Sequence, residues 1–278
     1  MNLNLIPASN YTIEQLTEAY NHTRVDYLVA MPMSATRLQE YVDIYHIDLD
    51  RSLVVKENGM IIGLGMLGLR ENRSWITRLG LVADQRGKGA GQALMEGLLA
   101  NSDALGIEKN MLEVIKGNPP AHQLFLKLGF ENFRELLILR RAQGQVPESG
   151  VPAVDLDLET CLERLEERSG AIAWTNQTET LHEVHGLKGF RIEMPGGGSG
   201  WMVYQQTLFN LSRLMFETDG PDPVETMKAL LGHLHARHPN TDTYTENIPA
   251  NDPRLPAFEE FGYIETFRRI EMVRCPEL

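Results

Sequence analysis

The sequence predicts an α/β chain of two tandem mixed-sheet domains, the second a degenerate copy of the first. Three observations carry this. Strand-like runs alternate with helical patterns along all 278 residues. At roughly 150 residues per domain, that length suits two cores. Residues 110–130 also recur 133 positions later: Glu113 matches Glu246, Ile115 Ile248, Asn118 Asn251, Pro120 Pro253, Phe125 Phe258 and Gly129 Gly262. Six identities in 21 positions exceed the one or so that composition gives, so a whole domain looks duplicated.

The first domain is expected over residues 1–145. Asn2–Pro7 alternates like a strand. Thr12 and Gln15 form a capping-box pattern that opens a helix through about Tyr27. A second helix starts at Ser34 and carries Leu38, Tyr41, Val42 and Tyr45 on one side. Ser52–Lys56 is a strand, Asn58-Gly59 a hairpin turn, Met60–Leu69 a buried strand, and Ser74–Val82 the third strand of this meander. The loop Arg86-Gly87-Lys88-Gly89-Ala90-Gly91 then opens an amphipathic helix bearing Leu94 and Leu98. Asn110–Ile115 is a strand, Asn118–Leu128 a short helix ended by Gly129, and Arg134–Leu139 a closing strand.

Ala142–Val154, with Gly144, Pro147, Gly150 and Pro152, reads as the linker, and residues 146–278 as the second domain. Leu158, Leu162 and Leu165 mark a charged amphipathic helix. Gly196–Gly200 is a flexible loop, Trp201–Glu217 is strand-like, Asp222–His238 a helix, Thr241–Ile248 a strand and Leu255–Phe261 a short helix. The copy lacks the glycine loop. Its counterpart near Thr218–Val224 has one glycine, with Asp219 and Asp222 where an anion would sit.

Composition excludes several classes. With 42% apolar and 23% charged residues, the chain is not disordered. The longest apolar run, Met60–Leu69, is too short to span a bilayer, and Met1–Asn10 has no signal-peptide pattern. Cys161 and Cys275 have no metal spacing and make no disulfide framework, which points to a reducing, cytoplasmic setting. The net charge of −12 is uneven: 15 basic and 16 acidic residues in Met1–Gln145, but 11 and 22 in Val146–Leu278. Such a chain is a poor nucleic-acid binder, and no membrane partner is expected. The acidic half would attract a cationic partner, or serves solubility alone.

A strand that runs into a glycine-rich turn and then a helix can hold a diphosphate. The first turn leaves unpaired N–H groups at the positive end of the helix dipole. Arg86 and Lys88 add mobile positive charge. An ordinary tight turn is the other reading. The loop is neither a GxxxxGK[ST] phosphate loop nor a good dinucleotide fingerprint, because it follows a meander.

The second motif is Leu112-Glu113-Val114, then Asn118-x-x-Ala121-x-x-Leu124-Phe125-x-Lys127-x-Gly129-Phe130. Together the two segments resemble the GNAT superfamily of acyl-CoA-dependent N-acetyltransferases. That family carries an Arg/Gln-x-x-Gly-x-Gly/Ala loop and an Asn-x-x-Ala-x-x-Leu-Tyr-x-Lys-x-Gly-Phe motif. The resemblance covers residues 2–141 in order and spacing. The tandem layout is similar to that of mycothiol synthase and other two-lobed members. There the C-terminal lobe is the working one; here the pattern sits in the N-terminal lobe.

The resemblance implies acetyl-CoA as cosubstrate and no metal. Its diphosphate would lie on the backbone of Arg86, Gly87, Lys88, Gly89, Ala90 and Gly91, with Gln92 in the same first turn. Its pantetheine arm would pair with the edge of Leu79-Gly80-Leu81. The Leu81 backbone N–H would polarise the thioester carbonyl. Asn118 would bond near the arm; the competing reading makes it the N-cap of a helix beginning at Pro119. Glu113 is the candidate base, by resemblance to ribosomal-protein alanine acetyltransferases, or else a strand Glu that faces solvent or pairs with an Arg. Phe125, among the cofactor-lining positions, departs from the family's Tyr and cannot donate a proton, which leaves solvent, Tyr27 or Tyr45 as the acid.

His233, His235 and His238 on one helix, like His182 and His185, lack completing ligands and read as solvated faces. Trp75 reads as packing or as a wall of the acceptor pocket. The expected activity is direct acetyl transfer to the amine of a small molecule or peptide, by a monomer or weak homodimer. The alternatives are a catalytically silent acyl-CoA-binding module and a purely structural partner protein.

Overall fold

The computed structural model describes residues 3–29, 31–147 and 149–276. Asn2, where the first strand was expected to begin, and Glu148, in the expected linker, lie outside the described residues. The chain forms two compact units, Met1–Phe133 with Ile270–Leu278, and Arg134–Arg269.

The first unit contains β1 (Leu3–Pro7), α1 (Ile13–His22), α2 (Ala35–Ile44), β2 (Ile47–Glu57), β3 (Met60–Arg70), β4 (Arg73–Leu81), α3 (Ala90–Asp103), β5 (Lys109–Ile115) and α4 (Pro119–Lys127). The chain leaves it along β6 (Glu131–Arg141). The second unit follows with β7 (Ala153–Leu156), α5 (Leu158–Glu166), α6 (Thr178–His182), β8 (Leu187–Glu193), β9 (Ser199–Gln206), β10 (Asn210–Asp219), α7 (Pro223–Arg237), β11 (Asp242–Pro249) and α8 (Leu255–Glu260). Finally β12 (Ile264–Arg274) carries Ile270 onward back to the first unit. From β1 to β6 and from β7 to β12 the order is the same, a strand, two helices, three strands, a helix, a strand, a helix and a strand, as the internal repeat requires.

In the first unit the strand order is β1-β2-β3-β4-β5, antiparallel except for the parallel β4–β5 pair. In the second it is β6-β11-β10-β9-β8-β7, again with one parallel pair, β10–β11. Helix α3 lays Ala90, Leu94 and Leu98 against Leu53, Val55, Leu67 and Leu112 in the first core. Met272, near the end of the chain, completes that core. Beneath α3, the buried Ser74 and Ser102 hydroxyls converge on Asn110 Oδ1 at 2.8 and 2.6 Å, tying β4, α3 and β5 together.

Local signals explain most boundaries. The Thr12–Gln15 capping box forms in both directions, at 3.3 and 3.0 Å. Ser34 caps α2, and Asn58 and Gly59 both take positive φ in the β2–β3 turn. Helix α1 ends at His22, short of the expected Tyr27, because the Thr23 hydroxyl donates to Tyr20 O at 2.7 Å and turns the chain. The expected single strand Trp201–Glu217 is instead the hairpin β9–β10. Its turn has neither Gly nor Pro. The Thr207 hydroxyl accepts the Phe209 and Asn210 N–H groups, while Leu208 and Phe209, which look like strand residues, project into solvent.

Candidate active site

The site begins where β4 leaves β5. Their parallel pairing runs from Arg73↔Lys109 to Ile76↔Leu112, and β4 continues to Leu81 beyond it. A register shift against β3 falls between Leu64 and Met66, and Arg78, opposite it, takes φ 52. A left-handed arginine in a strand is strained, and such strain concentrates at functional sites. Past the bulge, Val82 donates to Ile62 O at 2.9 Å. Gly80, opposite Leu64, shares Val82's orientation. Leu79 and Leu81 therefore turn their N–H and C=O groups away from β3, toward the opening beside β5. This is the edge expected to accept an added strand.

The loop after β4 leads into α3. Gly87 has φ 72 and Gly89 φ 90. A Cβ on either would meet nothing within 4 Å, so the glycines serve the backbone path rather than crowding. Gly89 is the N-cap of α3 and supplies no side-chain acceptor. The first intrahelical bond runs from Ala93 N to Gly89 O. The amides of Ala90, Gly91 and Gln92 thus precede any intrahelical partner, and the first turn carries no acidic residue. The Gln92 side chain bonds Glu96 and Lys127 at 2.8 and 2.9 Å and braces α3 against α4.

Arg86 is not the mobile cation expected from sequence. Its guanidinium pairs in bidentate fashion with Asp26 at 2.7 and 2.8 Å, donates to Thr23 O at 3.1 Å, and reaches Leu81 O at 3.2 Å. The fork geometry of the guanidinium suits that many acceptors at once. The Arg86 guanidinium holds the Asp26 carboxyl below its ordinary range. Lys88 is exposed.

Glu113 lies on β5 just past the last β4–β5 pair. Tyr41, Thr77 and Arg78 share its surroundings. The Tyr41 hydroxyl bonds Thr77 Oγ1 at 2.6 Å, and the Arg78 guanidinium lies 4.2 Å from the Tyr41 ring centroid. Burial pushes the Tyr41 phenol up, and the Glu113 charge acts in the same direction, against Arg78 and Thr77. Trp75 is buried against Tyr41 and Tyr45, with ring centroids 6.1 and 5.7 Å away.

Asn118 does cap α4: its Oδ1 accepts the Ala121 N–H at 3.4 Å, ahead of Pro119 and Pro120. Phe125 is buried in the core with Phe130, ring centroids 6.2 Å apart. Tyr27 lies under the Arg24 guanidinium at 4.2 Å. The histidines form no ligand set. His235 is buried and bonds Tyr263 at 3.0 Å, contrary to the solvated face expected, and His238 bonds Tyr204 at 3.0 Å. His182 pairs with Glu166 at 3.3 Å. No group of metal-binding side chains occurs among the described residues. No helix among them is long and apolar enough to cross a membrane.

The second unit repeats the strand geometry. The β10–β11 pairing stops at Ser212↔Tyr244, and Arg213 takes φ 52 at a register shift, as Arg78 does. Its helix N-terminus differs. Asp222 caps α7, its Oδ1 accepting the Glu225 N–H at 3.0 Å, and Pro223 removes an amide. Glu246, the counterpart of Glu113, pairs with Arg269 at 2.9 Å. Sequence reasoning located this difference through Asp222 but had no signal for the left-handed arginines.

Residues 14–130 match the model of the acetyltransferase (GNAT) family. A sequence comparison with curated proteins finds no match. Among solved structures, a tandem GNAT protein from the clavulanic acid biosynthesis pathway aligns over 100% of both chains, with TM-score 0.69 and 15% identity. A GCN5-related N-acetyltransferase from Sphaerobacter thermophilus aligns over 99% of this chain and 97% of its own, with TM-score 0.68 and 12% identity. At such identities the likeness concerns the fold, here a tandem one. The first unit, with its opened strand edge, glycine loop and uncapped helix, carries a GNAT-family acetyltransferase domain over residues 14–130.

Proposed function

We propose that the first unit binds acetyl-CoA and transfers its acetyl group directly to the amine of a small molecule or peptide. The observation that carries this is the α3 N-terminus: its amides have no side-chain cap, and they follow directly on a strand edge whose N–H and C=O groups face an opening. The loop amides and helix dipole would hold the diphosphate. Leu79 and Leu81 would pair with the pantetheine arm.

The chemistry needs three things from the chain. An alkyl amine of pKa ~10.4 must lose a proton, at a cost of about 4–5 kcal/mol at pH 7. Glu113, on β5, would accept that proton, directly or through a water. The free nitrogen attacks the thioester carbon, and the Leu81 N–H donates to the developing oxyanion. The C–S bond then breaks and the thiolate departs. With a thiol pKa of ~8.5, doing without a proton donor costs only about 2 kcal/mol at pH 7. The burial of Phe125 is therefore compatible with turnover, with solvent protonating the sulfur. The second unit, with its capped α7 and paired Glu246, is a degenerate copy that completes the molecule without a second donor site. Its acidity suits a cationic acceptor.

The test follows thiol release from acetyl-CoA over an amine panel. Wild-type protein should release thiol with some amine. Glu113→Gln should lose at least about 100-fold in rate while still binding coenzyme A. The second reading, a silent acyl-CoA-binding module, draws on Phe125 in place of a proton-donating tyrosine. Binding without release on any amine would establish it.

A further inference from the structure

We infer that Asp26 competes with the donor's diphosphate for Arg86, so that the Thr23–Asp26 segment is a closed gate on the donor edge, released when the diphosphate binds. This rests on the donor reading above. The segment and the Arg86 tied to it occupy the carbonyls of Leu79 and Leu81 on the opened part of β4. The Arg24 guanidinium donates to Leu79 O at 2.9 Å, and Arg86 donates to Leu81 O at 3.2 Å. These are the two carbonyls that an added strand would use. Thr23 sits directly over Gly80, where a Cβ would come within 2.6 Å of its hydroxyl oxygen. Arg86 also donates to Thr23 O at 3.1 Å and ends on both oxygens of Asp26.

The chemistry of the knot favours exchange. A guanidinium fork fits phosphate oxygens as well as it fits a carboxylate. Asp26 offers one negative charge in water; a diphosphate offers more, and the loop amides beside Arg86 bind it too. Thr23, 1% exposed, anchors the segment at one end, while Val25 beyond it is 83% exposed. Arg24 is held by one carbonyl and the faces of Tyr20 and Tyr27, at 5.1 and 4.2 Å, and among the described residues it has no carboxylate partner.

The experiment is calorimetric titration of the full chain with coenzyme A and, separately, with pantetheine, which lacks the diphosphate. Asp26→Asn should tighten coenzyme A binding about two- to fivefold at low salt, as loss of one exposed competing pair gives. Pantetheine, which uses the gated edge but offers Arg86 no diphosphate, should gain less than coenzyme A. In the Arg86→Gln background, the Asp26 substitution should have no effect on coenzyme A. A thermal melt confirms that each variant is folded. Unchanged or weaker coenzyme A binding by folded Asp26→Asn overturns the inference, because Asp26 would then preorganise Arg86 rather than compete for it. An equal gain for both ligands overturns it as well. Absence of coenzyme A binding in wild type and variants alike overturns the donor reading itself, an outcome distinct from either.

Discussion

Gly89→Ala separates backbone path from side-chain crowding at the glycine loop before α3. Gly89 takes φ 90 and ψ −13 at the N-cap of α3, and an added methyl would touch nothing within 4 Å. The cost is thus conformational alone. Placing an L-residue in the left-handed region costs about 1–2 kcal/mol. Loss of glycine freedom in the unfolded chain returns about 0.4–1 kcal/mol. The net cost should lie between about 0 and 1.6 kcal/mol, and any loss must appear in one of two places. If the loop keeps its path, urea unfolding shows the loss. If the loop relaxes, the amides turn from the ligand, and the coenzyme A affinity falls by up to about tenfold. Gly91→Ala is the internal control. Gly91 lies inside α3, and its Cβ would sit 3.5 Å from Leu81 Cδ1, an ordinary contact. There alanine should stabilise by about 0.5–1 kcal/mol. A Gly89→Ala variant that gains as much stability as Gly91→Ala and keeps its affinity would refute the claim that positive φ makes this loop.

Three further outcomes follow from the same geometry. Calorimetric titration with coenzyme A should give one site per chain, because Asp222 already occupies the α7 N-terminus; two equivalent sites would refute this. Burial, then Arg141 and His238, holds His235 down to about 3, against 6.5 in the unfolded chain. Only the unfolded state then gains a proton as pH falls below 6.5, so this group removes about 2 kcal/mol of stability by pH 5 and more below it. Urea unfolding at pH 7 and pH 5 should show that slope, and His235→Gln should flatten it; an unaltered slope would dismiss the assignment. Burial pushes the Cys161 thiol up to about 11, whereas Cys275 is exposed. A thiol reagent should therefore modify one cysteine quickly in the native protein, a constant background in the thiol-release assay, and Cys275→Ser should abolish it.

Much of this was legible because its causes are local. The Thr12–Gln15 box, the Asn58-Gly59 turn and the Asn118 cap each act within four residues, so residue order displays them. The glycine loop was legible for the same reason: positive φ leaves glycine as its trace. The hidden features depend on residues far apart. Asp26 and Arg86 are 60 positions apart, and no periodicity links them; the pair exists only because α1 ends early and brings Thr23 to Gly80. His235 looks like a surface residue on α7, and it is buried because Tyr263 supplies a partner from beyond α8. The β9–β10 turn escaped notice because its geometry comes from a threonine hydroxyl, and its two apolar residues carry the wrong signal.

The two units share a strand geometry and differ at the helix that follows it. Both open a parallel pair of strands after three or four residues, and both place an arginine at φ 52 opposite the register shift. The opening is therefore a property of the fold and does not by itself define a site. The helix that follows makes the distinction. Gly89 leaves the α3 amides without a side-chain acceptor, whereas Asp222 supplies a carboxylate to α7 and Pro223 deletes a donor. A helix end satisfied by its own anion has little left to offer a foreign one. Glu246, the counterpart of Glu113, is paired with Arg269 at 2.9 Å. The duplicated scaffold thus presents helix amides without a side-chain acceptor at α3 but not at α7, and Gly89 and Asp222 make that difference.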